Sequence, residues 1–221
     1  MAPSHARFVN TDAYPSPISK IVCVGRNYAD HARELDNAVP PQPLLFMKPP
    51  SAVVQLEEPI VLPPGNEPVH YETELALLMG HTLRAAGETT AMEAVAGIGL
   101  ALDLTLRERQ NELKTRGHPW EIAKAFDGAC PLSAFVPIEE CADAERFRFS
   151  LSIDGEPLQN GDTGDMLKPI PALLAYMSEH FTLEPGDVIL TGTPAGVGQL
   201  ASGQQLRLTL EDRLRIETTV V

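Results

Sequence analysis

The sequence predicts an α+β domain in which strands outnumber helices, and three observations carry that expectation. Short apolar runs rich in β-branched residues recur along the chain and are closed by Gly, Pro or Asp-Gly. The 3.6-residue period of an amphipathic helix is confined to a few short segments. Strands and helices do not alternate regularly, which sets the chain apart from a doubly wound parallel sheet.

The first stretch, to about Ser19, is polar and carries Pro15 and Pro17, so residues 1–19 read as a lead-in to one domain over residues 20–221. Lys20–Val24 (KIVCV), closed by Gly25, reads as a strand. From Asn27 to Leu35 the period changes: Tyr28, Ala32 and Leu35 form one apolar stripe, with His31 and Glu34 together on an adjacent face. DNAVPPQPLL follows, and its prolines leave little local packing. The segment 27–43 is therefore either a surface turn or a lid. Ala52–Leu62 and His70–Met79 read as strands, as does the apolar run Ala94–Thr105. A helix over about Leu106–Thr115 should stop at Gly117. Phe147–Ile153 before Asp154-Gly155 signals a hairpin. Pro169–His180 reads as a helix with Leu173, Leu174 and Met177 inward, and Val188–Thr191 and Leu206–Val220 supply the last strands.

At 221 residues with 43% hydrophobic content, the chain can bury a sizeable core. Its formal net charge of −13 argues against nucleic acid and against an anionic membrane surface. Cys23, Cys130 and Cys141 are widely spaced, with no C-x-x-C pair, which suits thiols in a reducing cytoplasm. No secretory h-region and no apolar run long enough to span a bilayer are present, so a cytoplasmic protein is expected.

The string His70-Tyr71-Glu72-Thr73-Glu74-Leu75 carries the most chemistry. In a strand, Glu72 and Glu74 would project from the same face, and like charges there need solvent or a cation. Asp103 ends the apolar run IGLALD, where a buried carboxylate needs a partner. Three oxygen donors without a His or Cys cluster suit Mg²⁺ or Mn²⁺. The competing readings are an exposed Glu-x-Glu pair and an Asp103 that caps the next helix. His31 and Glu34 are either an ordinary helix-surface pair or a general base with its orienting carboxylate. TGTPAGVG lacks the Gly-Lys-Ser/Thr ending of a P-loop and the G-x-G-x-x-G spacing.

Taken together and in order, VGRNYADHARELDN, PLLFMKPPSAVV, HYETELALLMG, ALDLTLRERQNELKTRGHPWEIAKAFDGACPLSAFVP and LEPGDVILTGTPAGVG resemble the fumarylacetoacetate hydrolase family. The resemblance is closest to its short acylpyruvase and oxaloacetate decarboxylase members. It implies a mixed β-sandwich roll that dimerises, with Glu72, Glu74 and Asp103 as ligands of Mg²⁺ or Mn²⁺. It further implies Lys124 as the active-site lysine beside its motif neighbours Trp120 and Asp127, and His31 with Glu34 as a catalytic pair on a lid. Arg26, Arg107, Gln110 and Thr193 would then hold substrate oxygens. One local departure is Ala125, where many relatives carry Gly or Ser. No counterpart of the large N-terminal domain of the longer fumarylacetoacetases is present, which argues against fumarylacetoacetate itself as substrate.

The implied activity is metal-dependent hydrolysis of a carbon–carbon bond in an acylpyruvate, a small 2-oxo-carboxylate, with oxaloacetate decarboxylation at the same site. The alternatives are an isomerase of a 2-hydroxy-diene-dioate and a catalytically idle, metal-stabilised binding protein.

Overall fold

The computed structural model describes residues 4–9, 13–36, 38–65, 67–142 and 144–221. Its centre is the strand Thr73–Met79, buried along its whole length. Thr73–Met79 pairs antiparallel with Val95–Leu102 on one side and with Val188–Leu190 on the other. The sheet extends through Ile21–Gly25 to an edge at Leu44–Lys48, and in the other direction through Cys130–Leu132 to Val53–Gln55. Val136–Pro137 adds to Val95–Leu102. Two of the pairings are parallel, Val188–Leu190 with Ile21–Gly25 and Cys130–Leu132 with Val53–Gln55, so the sheet is mixed.

Side chains alternate across this sheet as a period of two requires. Val22, Leu75, Leu77, Met79, Leu100 and Ile189 enter one core, and Cys23, Ala76, Leu78, Ala101 and Leu190 enter the other. Burial of both faces is why these strands read as continuous apolar runs. The first core is completed by a four-stranded antiparallel sheet of Glu156–Asp162, Arg148–Ile153, Gln205–Leu210 and Leu214–Thr219. Its inward residues include Leu151, Ile153, Leu206, Leu208 and Ile216. The result is the strand-rich α+β architecture expected.

The described helices are α1 (Ala29–Glu34), α2 (Glu88–Ala91), α3 (Arg107–Arg116), α4 (Glu121–Lys124) and α5 (Ile170–His180). α3 stops where Gly117 takes a left-handed φ of 66°. α5 turns Leu173, Leu174 and Met177 into the core, as its spacing predicts. Asp154 and Gly155 both have positive φ, 52° and 87°, as a tight hairpin turn between right-twisted strands requires.

Within the lead-in, residues 1–3 and 10–12 lie outside the described set, and His5–Arg7 pairs antiparallel with Ala13–Pro17. Three expectations are corrected. Within Ala52–Leu62 only Val53–Gln55 is strand, because Glu57, Glu58 and Pro59 turn the chain. Leu56 and Ile60 enter the core from that turn. His70–Met79 is two strands, not one: Val69–Tyr71 belongs to a small sheet with Thr105–Leu106 and Gly198–Gln199, and Glu72 lies at the break. The run Ala94–Thr105 breaks in the same way at Asp103 and Leu104. The apolar pattern conceals both breaks, since the chain stays buried as it passes from one sheet to the other.

Candidate active site

These two breaks lie side by side, and that places the three carboxylates together. Glu74 is opposite Ala101 in the ladder, Asp103 follows two residues later, and the Asp103 backbone N–H donates to the Glu72 carbonyl at 2.8 Å. One oxygen from each of Glu72, Glu74 and Asp103 lies within 4.8 Å of the others, and all three residues are buried. Asp103 is therefore no helix cap. Leu106 occupies the cap position of α3 and makes no side-chain cap bond.

Cations surround two of the three acids. The Lys124 ammonium, at the end of α4, is 2.9 Å from Glu72 Oε2 and 2.6 Å from Asp103 Oδ2. Arg107, at the start of α3, pairs with Glu72 Oε1 and donates to Gln110 Oε1 at 2.8 Å. Lys48, whose residue is 1% exposed, sits 2.8 Å from Asp103 Oδ1. Lys48 Nζ also donates to the Ala129 and Leu104 carbonyls at 2.9 and 3.3 Å, and to the Lys124 carbonyl. Glu74 has no ion-pair partner among the described residues and accepts one bond, from Gly192 N at 2.6 Å.

Electrostatics follow from this asymmetry. Burial, and then the neighbouring Asp103 and Glu72 carboxylates, push the Glu74 carboxyl well above its usual range. Burial also opposes ionisation of Glu72, but Lys124 and Arg107 outweigh it and hold that carboxyl well below the usual range. Burial disfavours the Lys124 charge, yet Asp103 and Glu72 keep its proton more tightly bound than in water. A buried trio of carboxylates, one of them uncompensated, fits a hard divalent cation, which takes oxygen ligands and would offset the Glu74 charge. The Asp103 Oδ1 atom adds to the fit: it has no hydrogen bond of proper geometry despite its ion-pair contact with Lys48.

The glycine-rich string has a structural purpose. Gly192 and Gly196 take φ of +98° and +97°, and a Cβ at either would strike Asn27 Cβ at 2.8 Å or the Leu158 carbonyl at 2.0 Å. Freed of side chains, they direct their N–H groups to Glu74 and, at 3.0 Å, to Glu34 Oε1. Glu34 Oε2 in turn lies 3.3 Å from His31 Nδ1, so one carboxylate ties α1 to this loop and orients the imidazole.

The structure brings the sequence-derived residues to one cleft. His31, Glu72, Glu74, Arg107, Gln110, Lys124, Thr193 and Arg26 all line it, and Asp103 lies directly beneath, bonded to Lys124. Glu34 stands behind His31. Phe46 and Trp120 form a wall, their ring centroids 5.9 Å apart, with the Lys124 ammonium 5.0 Å from the Phe46 ring. Arg26 Nη1 donates to the Ala38 carbonyl at 3.1 Å, across the following loop. Sequence reasoning missed Lys48, whose only local signal was a lysine ending the apolar strand LLFMK. It also missed Asn27, which anchors the root of α1. Asn27 Nδ2 donates to the Thr191 and Lys168 carbonyls at 2.9 and 3.1 Å, and its Oδ1 accepts from Lys168 N at 2.8 Å.

A curled mixed sheet carrying a buried carboxylate trio and an ammonium at its strand ends defines a class of α+β enzyme able to hold a hard cation. The description "Fumarylacetoacetate (FAA) hydrolase C-terminal" matches residues 20–221, and the chain belongs to the fumarylacetoacetate hydrolase family. It is 52% identical over 196 residues to an oxaloacetate tautomerase of Escherichia coli (strain K12), covering 88% of this chain and 90% of that protein. It is 46% identical over 186 residues to the human mitochondrial oxaloacetate tautomerase, covering 84% of each. Among solved structures, a fumarylpyruvate hydrolase from Pseudomonas aeruginosa in complex with Mn²⁺ and pyruvate superposes with a TM-score of 0.94 at 32% identity. That match covers 100% of this chain and 97% of the other. Among the described residues no helix is long and apolar enough to cross a membrane.

Proposed function

We propose that this enzyme interconverts the enol and keto forms of oxaloacetate. The observation that carries the reading is the buried carboxylate trio with the Lys124 ammonium against it and His31 on the same cleft. Glu72, Glu74 and Asp103 would hold Mg²⁺ or Mn²⁺, which when bound supplies a Lewis acid for a 2-oxo-carboxylate. Lys124 stabilises negative charge as it develops on the substrate's C2 oxygen. His31, oriented by Glu34, delivers or removes the proton at C3, while the proton of the enol oxygen is lost or regained in balance. Arg107, Gln110, Thr193 and Arg26 hold carboxylate oxygens. Charge suits an anionic substrate: Lys48, Lys124 and Arg107 pair with Glu72 and Asp103, so a dication held with Glu74 would leave the cleft net positive.

Acylpyruvate hydrolysis is the second reading, favoured by the His31–Glu34 pair, which could instead activate water. It ranks behind because the tautomerase relatives are 52% and 46% identical, against 32% for the fumarylpyruvate hydrolase. The test is enol consumption from fresh oxaloacetate with Mg²⁺ or Mn²⁺, run beside acetylpyruvate, fumarylpyruvate and oxaloacetate decarboxylation. Enol loss should far exceed the uncatalysed rate, and His31→Ala should slow it by about 10²–10⁴-fold. Enol loss at the background rate, with fumarylpyruvate cleaved, would reverse the order of the readings.

The segment 27–43 acts as a lid in this reading; residue 37 within it lies outside the described set. The cleft leaves about 30 Å³ of free space, room for one or two waters, so it is expected to widen for a four-carbon diacid, with α1 as the element that moves. Hydrogen exchange over 28–43 should be fast and should slow on adding oxalate with Mn²⁺. Strong protection without oxalate would show a fixed element. The enzyme is expected to work as a cytoplasmic homodimer, for which sedimentation at micromolar concentration is the check.

A further inference from the structure

Gln159 lies in the strand Glu156–Asp162 and is fully buried, away from the cleft wall. Its amide makes three hydrogen bonds. Thr73 N donates to Oε1 at 3.0 Å, and Nε2 donates to the Pro194 carbonyl at 3.0 Å and to Thr193 Oγ1 at 2.9 Å. The two backbone partners leave no freedom in this assignment, because a flipped amide would set N–H against N–H and oxygen against oxygen.

That assignment fixes the polarity of Thr193. Its hydroxyl oxygen accepts from Gln159, so the Thr193 proton is what remains to be placed. Among the described residues its acceptor is the Pro194 carbonyl at 3.5 Å, a long contact to an oxygen that also accepts from Gln159 at 3.0 Å. Thr193 lines the cleft. We infer that Gln159 is a positioning residue that makes Thr193 a hydrogen-bond donor toward an anionic substrate oxygen, a carboxylate or enolate. The inference rests on the reading of this cleft as a 2-oxo-carboxylate site.

The loop does not depend on Gln159 for its place. Thr191 donates to the Leu75 carbonyl through both N and Oγ1, at 3.2 and 2.9 Å, and Gly192 N donates to Glu74. Loss of the amide should therefore change the direction of one hydroxyl more than the position of the loop.

The test is a double-mutant cycle on oxalate affinity, measured by calorimetry with Mn²⁺ present, using Gln159→Met, Thr193→Val and both together. Each single change should weaken oxalate about tenfold, the effect of one hydrogen bond to a charged group. The double variant should bind no worse than Thr193→Val alone. If Gln159→Met does not fold, Gln159→Glu keeps the Thr73 contact and replaces it. The added charge acts in both Thr193 backgrounds and cancels from the coupling. Wild-type affinity in the Gln159 variant, or losses that multiply in the double variant, would overturn the inference while leaving the site reading intact. Failure of the wild type to bind oxalate at all would overturn both.

Discussion

Mn²⁺ titrated into the wild type should bind at one site per chain, and the Glu72→Ala, Glu74→Ala variant should lose more than about 100-fold of that affinity and its turnover. Asp103→Ala should do the same, since each acid supplies an oxygen to the same small volume. Glu74 allows a sharper test because of its sign. Its carboxyl is pushed up by burial and by Asp103 and Glu72, so folding favours its protonated form. The sign follows from linkage: stability from this group is greatest below its ordinary range and falls as pH rises toward its folded value. Glu74→Gln imitates the protonated form. In chelator at neutral pH it should raise the melting temperature, and added Mn²⁺ should then stabilise it far less than the wild type. A melting temperature that falls on Glu74→Gln in chelator would show that the trio is a structural network and not a cation site.

Lys48→Met should lower the unfolding free energy by about 3–5 kcal/mol, the usual cost of removing one partner from a buried ion pair. The substitution keeps the length of the side chain but removes the ammonium from the Ala129, Leu104 and Lys124 carbonyls and from Asp103. Urea denaturation measures the loss. Adding Asp103→Asn should restore part of it, because the second change neutralises the carboxylate left without Lys48. A loss below about 1 kcal/mol would mean that water replaces the ammonium at little cost, as at an exposed pair.

What could be read in advance was local. KIVCV, the Asp154-Gly155 turn, the Gly117 stop and the inward face of α5 each follow from a few neighbouring residues. The acids Glu72, Glu74 and Asp103 were conspicuous for the same reason, charges set in apolar runs. The breaks at Glu72 and Asp103 were hidden, because both sides of each break are buried and the apolar pattern runs on across it. Lys48 and Gln159 were invisible for another reason. Lys48 meets the Lys124 carbonyl 76 residues away, and Gln159 meets Thr73 N 86 residues away. No periodicity connects such positions. Lys124, Arg26, Arg107, Gln110 and Thr193 came from the family resemblance, not from the spacing of their own segments.

Arg26 joins the strand Ile21–Gly25 to the proposed lid with a φ of 62°, a conformation that glycine would adopt without penalty. For a residue with a β-carbon it costs about 1–2 kcal/mol. That cost exists only while the chain turns sharply at this point. Were the segment to swing away and Arg26 to relax to negative φ, the same energy would be returned, favouring the displaced arrangement by about tenfold. If the segment opens as the lid reading expects, Arg26 would act as a preloaded spring: the residue whose guanidinium donates to the Ala38 carbonyl would also bias its own segment toward release. Glycine at this position would rest more comfortably closed and would let product go more slowly.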